Sequence, residues 1–379
     1  MNHPRNNWAG NITFRARAFH RPSTVEELRE IVAGSDRVRA IGTGHSFSPV
    51  ADTPGELVCT DGLPPLVRVN GSTATVSGAM RLGSLAQHLQ ALDLGVPNLP
   101  SLPHISIAGA CATGTHGSGT ANLAGFVRSM EVVAHDGSLV TVGPEAAVHL
   151  GRLGIVTTLT VDLVPAFEVR QYVYEDLPFA GAVEALGSAY SVSLFTDWRR
   201  ITQVWRKCVG DPGSWAGARP ADGPRHPIAG MPADNCTEQL GVPGPWHERL
   251  PHFRLTHTPS SGDELQSEYF VALSDAPAAI DALTGLGIQD ALQISELRTV
   301  KRDGIWLSPA FGRDSLAIHF TWVSDYGLVA PAIEAVEAAL APFAPRAHPG
   351  KLSLSIRRLP RAAEFEELAA RLDPTGKFS

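Results

Sequence analysis

At 379 residues, 44% hydrophobic and 18% charged, the chain has the composition of a folded protein with room for two or three domains, which excludes a disordered one. Its formal net charge of −7 argues against nucleic acid or an anionic membrane as the main partner. Four widely spaced cysteines without a CxxC pair point to free thiols in a reducing cytoplasm.

The opening residues MNHPRNNWAGNITF lack the apolar core of a secretory signal. No run of about 18 apolar residues suggests a membrane span. A helix is predicted over 22–33, with Ser23 or Thr24 as N-cap and Glu26 or Glu27 placed for a capping box. VRAIG (38–42) follows as a strand and leads into the glycine loop GTGHSFS. ELVCT, LVRVN and TATVSGA read as short strands, the last two turned by Asn70-Gly71. Helical spacing marks 81–92. Residues 95–119, GVPNLPSLPHISIAGACATGTHGSG, are rich in glycine and small side chains. A hairpin turning at Asp136-Gly137 is predicted over 126–142, and a strand over 154–165.

Composition changes beyond about 165. Residues 208–262 are rich in Pro, Gly, His and Trp and have little periodicity, which predicts a long irregular excursion. Regular patterns then return: strand 265–273, helix 276–286, strands 292–300 and 315–323, and helix 329–343. That order predicts an antiparallel sheet covered by helices on one side, an α+β fold.

Gly44-His45-Ser46 raises the question of a nucleophile elbow built on Ser46. The strand before it is present, but Pro49 and Pro54 stand where the following helix should run. His45, His104 and His116 invite a metal-site reading, yet none has i, i+4 spacing with another and no acidic residue accompanies them. What remains is two glycine-rich loops, whose backbone N–H groups can approach a diphosphate. Neither has Walker or Rossmann spacing, so they are either a cofactor site of another fold or surface turns. In LQISELRTV, Glu296 and Arg298 share one strand face; in AIHFTW, His319 and Thr321 share one face while Ile318, Phe320 and Trp322 share the other. Two such strands suit a hydroxyl-rich pocket, or a solvated face with a surface ion pair.

RAIGTGHSFS followed by SLPHISIAGACATGTHGSG resembles the FAD-binding half of vanillyl-alcohol-oxidase-type flavoproteins, more narrowly the sugar-alcohol and aldonolactone oxidases. NWAGN and LGIVTTLTVDL fit the same family. In the second half, CTEQLGVPGPWHERLPHFR, ELQSEYFV, SELRTV, WLSPAFGRDS, HFTW and DPTGKF resemble the alditol (xylitol) oxidases. The resemblance implies an α+β chain with a two-subdomain FAD-binding domain over 1–165 and 352–379. A substrate-binding cap with an antiparallel sheet would occupy 166–351. FAD is implied between the subdomains, joined covalently through His45. Its further contacts would be Ala40, Ile41, Gly42, Thr43, Gly44, Ser46, Ser101, Ser106, Gly109, Ala112, Thr113, Gly114, His116, Gly117, Ile155 and His348.

The implied reaction oxidises the terminal alcohol of an alditol to an aldose by hydride transfer to flavin N5, with O2 reduced to hydrogen peroxide. Glu296, Arg298 and Lys351 are the implied catalytic residues, Glu296 orienting both cations. Together with Ser106, Gln266, His319 and Thr321 they would bind the polyol, and no metal is implied. The expected partners are a polyol and O2 alone, with a monomeric chain in the cytoplasm and neither nucleic acid nor membrane. An aldonolactone oxidase or dehydrogenase is the alternative activity within the fold, and a catalytically impaired flavin-binding protein the alternative of another functional class. The chain departs from the family at Pro349, where tryptophan is common, a change with the potential to move His348 and Lys351. Its 142–153 loop is short, and it reads GKFS without the asparagine-containing tail that usually follows.

Overall fold

The computed structural model describes residues 6–213, 215–257, 263–356 and 359–379. Residues 1–5 of the stretch read for a signal, Ser214 and 258–262 of the irregular excursion, and 357–358 lie outside the described residues.

The N-terminal half is built on two small sheets, beside a minimal pairing of Leu94–Gly95 with Val164–Pro165. Thr24 caps the helix Val25–Gly34 by accepting the Glu27 N–H at 3.1 Å, and Glu27 reaches back to the Ser23 N–H at 2.7 Å. Leu28 and Val32, one turn apart on that helix, are fully buried against a three-stranded parallel sheet of Ala18–His20, Glu56–Val58 and Val38–Ala40. The second sheet has five strands, in the order Val67–Asn70, Thr73–Ser77, Ile155–Asp162, Val127–Val133, Leu139–Val142, and every pairing is antiparallel. Both hairpins turn where the sequence places them. The helix Leu82–Gln90 packs its Leu82, Leu85, Ala86 and Leu89 into that sheet's core.

The C-terminal residues close the first core. Phe378 is fully buried among Leu28, Val32, Val38 and Val58. Beside it, the Lys377 ammonium donates to the carbonyls of Val32 at 2.7 Å, Ala33 at 3.2 Å and His135 at 2.8 Å.

The second half is built on a nine-stranded sheet whose strand pairings are all antiparallel. Its central order is Glu168–Leu177, Ile201–Val209, Ser191–Thr196, Leu292–Val300, Ser315–Val323, Glu264–Ala272. The first three of these strands were not read from the sequence. Gln171 and Lys207 are buried on two of them, where an apolar alternation would not place them, whereas Ser191 and Ser193 of the third alternate with Val192 and Leu194.

The helices Ala276–Leu283 and Tyr326–Leu340 cover one face, as the sequence order predicts. Ile280, Leu283, Val329, Ile333 and Val336 pack on Leu265, Tyr269, Leu297, Ile318, Phe320 and Trp322. The stretch Tyr326–Phe343 is, by length and composition, apolar enough to cross a membrane (mean hydropathy 1.2), which the sequence reading had not picked out. In the fold it is the helix that buries this sheet face. The opposite face of the sheet is polar and turns toward the two loops of the N-terminal half.

Replacing Phe378 by Ala is expected to cost about 3–5 kcal/mol, the range for emptying a buried aromatic site. Denaturant unfolding of the two proteins would measure it.

Candidate active site

The loop 41–48 leaves the strand Val38–Ala40 and is held from several directions. The Trp8 N–H donates to Gly44 O at 2.8 Å, while the side-chain amides of Asn7 and Asn11 donate to Ser46 O and Phe47 O, each at 2.9 Å. The NWAGN segment is thus a clamp on this loop. Gly44 takes φ +70°, a left-handed turn that suits glycine. At Gly42 a Cβ would run into the Ser106 hydroxyl, so any side chain there would push that hydroxyl out of the place where the two glycine-rich loops meet. Ser46 is followed only by a short 3-10 turn, Pro49–Ala51, and not by the helix an elbow needs. His45 stacks on Trp8 with ring centroids 5.1 Å apart. Its Nδ1 is buried without a hydrogen-bond partner, and burial lowers its pKa to about 4, so the ring is neutral.

Both loops open on a cavity of about 540 Å³ that runs to the polar face of the large sheet. Of the expected cofactor contacts, Ala40, Ile41, Gly42, Thr43, Gly44, His45, Ser46, Ser101, Ser106, Gly109, Ala112, Thr113, His116 and His348 line it. Gly114, Gly117 and Ile155 do not: Ile155 is in the core under the first sheet, and Gly117 packs against Leu99 and Asn98. Gly154 and Val156, on either side of Ile155, line the cavity instead. All seven expected substrate residues, Ser106, Gln266, Glu296, Arg298, His319, Thr321 and Lys351, line it as well.

Sheet register explains the polar cluster. Glu268 pairs with His319, and His319 with Glu296, so three adjacent strands put these side chains in one row. Glu268 is fully buried and joins the two cations: Arg298 Nη2 donates to Oε1 at 2.8 Å, and Lys351 Nζ to Oε2 at 2.8 Å. His116 Nε2 faces the same carboxylate at 3.2 Å. Burial alone would raise the pKa of Glu268, but Lys351, His116 and Arg298 outweigh it and hold the carboxylate well below its usual range.

The expectation that Glu296 orients both cations is corrected by this geometry. Glu296 Oε2 lies 3.6 Å from Arg298 Nε, and its Oε1 accepts from His252 Nε2 at 2.7 Å; the carboxylate that bridges Arg298 and Lys351 is Glu268. The Glu296–Arg298 pair is buried, at 5% and 6% exposure, so the surface-ion-pair reading also fails. Lys351 Nζ additionally donates to His319 Nδ1 at 2.8 Å, which leaves the His319 Nε2 proton for Thr321 Oγ1 at 3.1 Å. Arg298 Nε makes no hydrogen bond and faces Glu296 Oε2 at 3.6 Å, while other parts of Arg298 line the cavity. Pro349 leaves the turn intact, because its carbonyl accepts from Ser48 Oγ at 2.7 Å and Lys351 N–H closes back on His348 O at 3.0 Å.

Residues 16–143 match the FAD binding domain family. Over 98% of its length the chain is 49% identical to the alditol oxidase of a Streptomyces species, covering 96% of that protein. The chain belongs to the alditol oxidase family. It is an FAD-binding oxidoreductase. The L-gulono-1,4-lactone dehydrogenase of Mycobacterium tuberculosis is a more distant relative, 26% identical over 98% of this chain and 96% of its own. In fold, the chain matches a solvent-stable cholesterol oxidase with a TM-score of 0.79 at 15% identity, over 99% of this chain and 95% of that one. The unpartnered His45 Nδ1, the close approach at Gly42 and the cavity between the loops fit the family's cofactor.

Set against the family's motifs, three residues escaped the sequence reading: Glu268, His252 and Lys207. Glu264, Gln266 and Glu268 alternate with Leu265, Ser267 and Tyr269, so a period of two carried the signal for Glu268. His252 sits in the irregular excursion, where no period exists. Lys207 is 1% exposed, and lysine in a strand ordinarily reads as surface.

Glu268→Gln keeps the shape but strands two buried cations, and is expected to destabilise the protein by about 3–5 kcal/mol in denaturant unfolding. Acid should act through the histidines. Burial holds His149 and His252 to about 4 and His348 to about 3, with Arg39, Lys207 and Lys351 respectively adding repulsion. An unfolded histidine titrates near 6.5, so between that pH and the folded values the unfolded chain binds more protons. Their stability contribution is therefore complete above about pH 6.5 and lost as pH falls, by about 1.4 kcal/mol per pH unit for each neutral ring. Melting temperatures from pH 8 to pH 4.5 should be flat at first and then fall.

Proposed function

We propose that this chain is an FAD-dependent alditol oxidase that converts the terminal primary alcohol of a sugar alcohol to the aldose. The observation that carries the reading is one cavity in which the His45 loop faces the Arg298–Lys351–Glu268 cluster. Bound FAD would supply the two-electron acceptor for the carbinol C–H and pass the electrons to O2, giving hydrogen peroxide.

The chain's own residues bind and orient. Arg298 and Lys351 line the cavity, the third Lys351 N–H is a donor available to the reacting hydroxyl oxygen, and the two cations stabilise the alkoxide as its proton leaves. Thr321, Gln266 and Ser106 offer groups for the other hydroxyls, which suits a chain of carbinols better than an apolar alcohol. His45 is the attachment point for a covalent flavin: its ring is neutral, its Nδ1 is free, and Trp8 fixes its plane. The four cysteines are free thiols, which supports a cytoplasmic location, and the chain is read as a monomer that engages neither nucleic acid nor membrane.

Acid precipitation of the purified protein tests the covalent bond: the yellow colour is expected to stay in the pellet, and to move to the supernatant in His45→Ala. Peroxide release measured on xylitol, sorbitol, glycerol and gulonolactone tests the activity, with turnover expected on the alditols. Turnover on gulonolactone alone would instead select the aldonolactone reading, and stable flavin without peroxide on any of them the impaired flavin protein. Arg298→Met and Lys351→Met are each expected to lower kcat about 10²–10³-fold, the usual loss for one donor to a developing oxyanion.

A further inference from the structure

Beside Glu296, a chain of buried groups leads from His252, which lines the cavity, to Lys207, which does not, and substrate binding alone does not use it. Lys207 rises from the same sheet face as Glu296, two strands away: Glu296 pairs with Phe195, Phe195 with Gln203, and Lys207 lies four residues further along that strand. Its ammonium meets three partners, the carbonyls of Leu250 and Pro251 and the Nδ1 of His252 at 3.0 Å. His252 Nε2 then donates to Glu296 Oε1 at 2.7 Å. The rings of Phe195 and Trp205 stand edge-on to His252 at 5.6 and 5.2 Å and fix its orientation.

The geometry points to a proton relay in which His252 and Lys207, acting through Glu296 as positioning residues, take up the proton of the substrate hydroxyl. It rests on the alcohol-oxidase reading of the site. When the O–H bond breaks, its electron pair stays on oxygen and becomes part of the new carbonyl, while the C–H electron pair goes to the family's FAD, the oxidant. The proton joins the Glu296 carboxylate. A proton passes from Glu296 to His252 Nε2, and the proton of His252 Nδ1 passes to the lone pair of Lys207. One proton has moved from substrate to Lys207, and each bond broken is matched by one formed. The structure as it stands is the loaded state, with Lys207 donating to Nδ1.

Two features favour this path. First, each hand-over joins groups already in contact. As an ammonium, Lys207 donates to two carbonyls and Nδ1 while Nε2–H donates to Glu296; as an amine, it donates to both carbonyls and accepts from Nδ1–H, which leaves the Nε2 lone pair facing Glu296 to take up the arriving proton. Second, proton affinity rises along the chain. Glu296 is held well below the usual carboxylate range: burial would raise it, but Arg298 and His252 outweigh burial. Burial, then Lys207, lowers His252 to about 4, and burial lowers Lys207 to about 7. The charged and titratable groups facing Lys207 are Glu296 and Arg298 from one strand and His252 and Cys236 from the irregular excursion. Burial raises the Cys236 thiol to about 12, so it stays neutral.

Lys207 accepts only as an amine. The rate of anaerobic flavin bleaching by a polyol should therefore rise with pH through about 7 in the wild-type holoenzyme. In Lys207→Met and in His252→Gln, which keeps a donor toward Glu296, the rise near pH 7 should vanish and the plateau fall about 10²-fold. A folded, flavin-loaded variant with the wild-type rate and pH profile would overturn the relay. Should both variants fail to fold, an indicator dye in weakly buffered wild type at pH 8 decides. Bleaching ahead of proton release supports the relay, and one proton reaching solvent as fast as the flavin bleaches overturns it. No bleaching by any polyol would instead bring down the alcohol-oxidase reading, and the relay with it.

Discussion

The Glu268 carboxylate is the charge on which the second half of this molecule turns. Arg298 and Lys351 come from different parts of the chain; Arg298 is buried and Lys351 largely so, where an isolated cation would be costly to keep. A single carboxylate with no exposure meets both at 2.8 Å and makes the pair tolerable. The sheet must hold Glu268 opposite His319, and His319 opposite Glu296, for the cluster to exist. A one-residue slip of the Glu264–Ala272 strand would send Glu268 into the apolar layer under the helices and leave Tyr269 facing the cations.

That sheet works because its two faces ask for opposite chemistry. One buries Tyr269, Leu297, Ile318, Phe320 and Trp322 under two helices. The other collects carboxylates, imidazoles and cations that satisfy one another almost completely. Apolar burial supplies the stability, and the same strands, by simple alternation, set the positions of the polar groups. The arrangement also separates tasks: Glu268 neutralises, while Glu296, free of that duty, is tied to His252.

Much of this was legible in the sequence wherever a period or a local motif existed. The Thr24–Glu27 cap, the turns at Asn70-Gly71 and Asp136-Gly137, and the shared faces of Glu296 with Arg298 and of His319 with Thr321 follow from short-range geometry. The strands between 168 and 209 were missed: buried Gln171 and Lys207 break the alternation in two of them, while the alternation of Ser191 and Ser193 with Val192 and Leu194 in the third was not picked out. His252 was out of reach for a different reason: its partners, Lys207 and Glu296, lie 45 and 44 residues away, and it sits in a segment with no repeat to extrapolate. The resemblance named loops and residues that mostly line the cavity, but the expected orienting part of Glu296 falls by register to Glu268.

The loop that carries His45 is also sewn to the turn that carries Lys351. The Phe47 N–H donates to Gly350 O at 2.8 Å and Ser48 Oγ to Pro349 O at 2.7 Å, the second bond spanning 301 residues of sequence. Segments joined in this way open together, as one cooperative unit of local unfolding. An excursion that frees the lysine turn also loosens the cofactor loop, and whatever rigidifies one shields the other from hydrogen exchange and proteolysis.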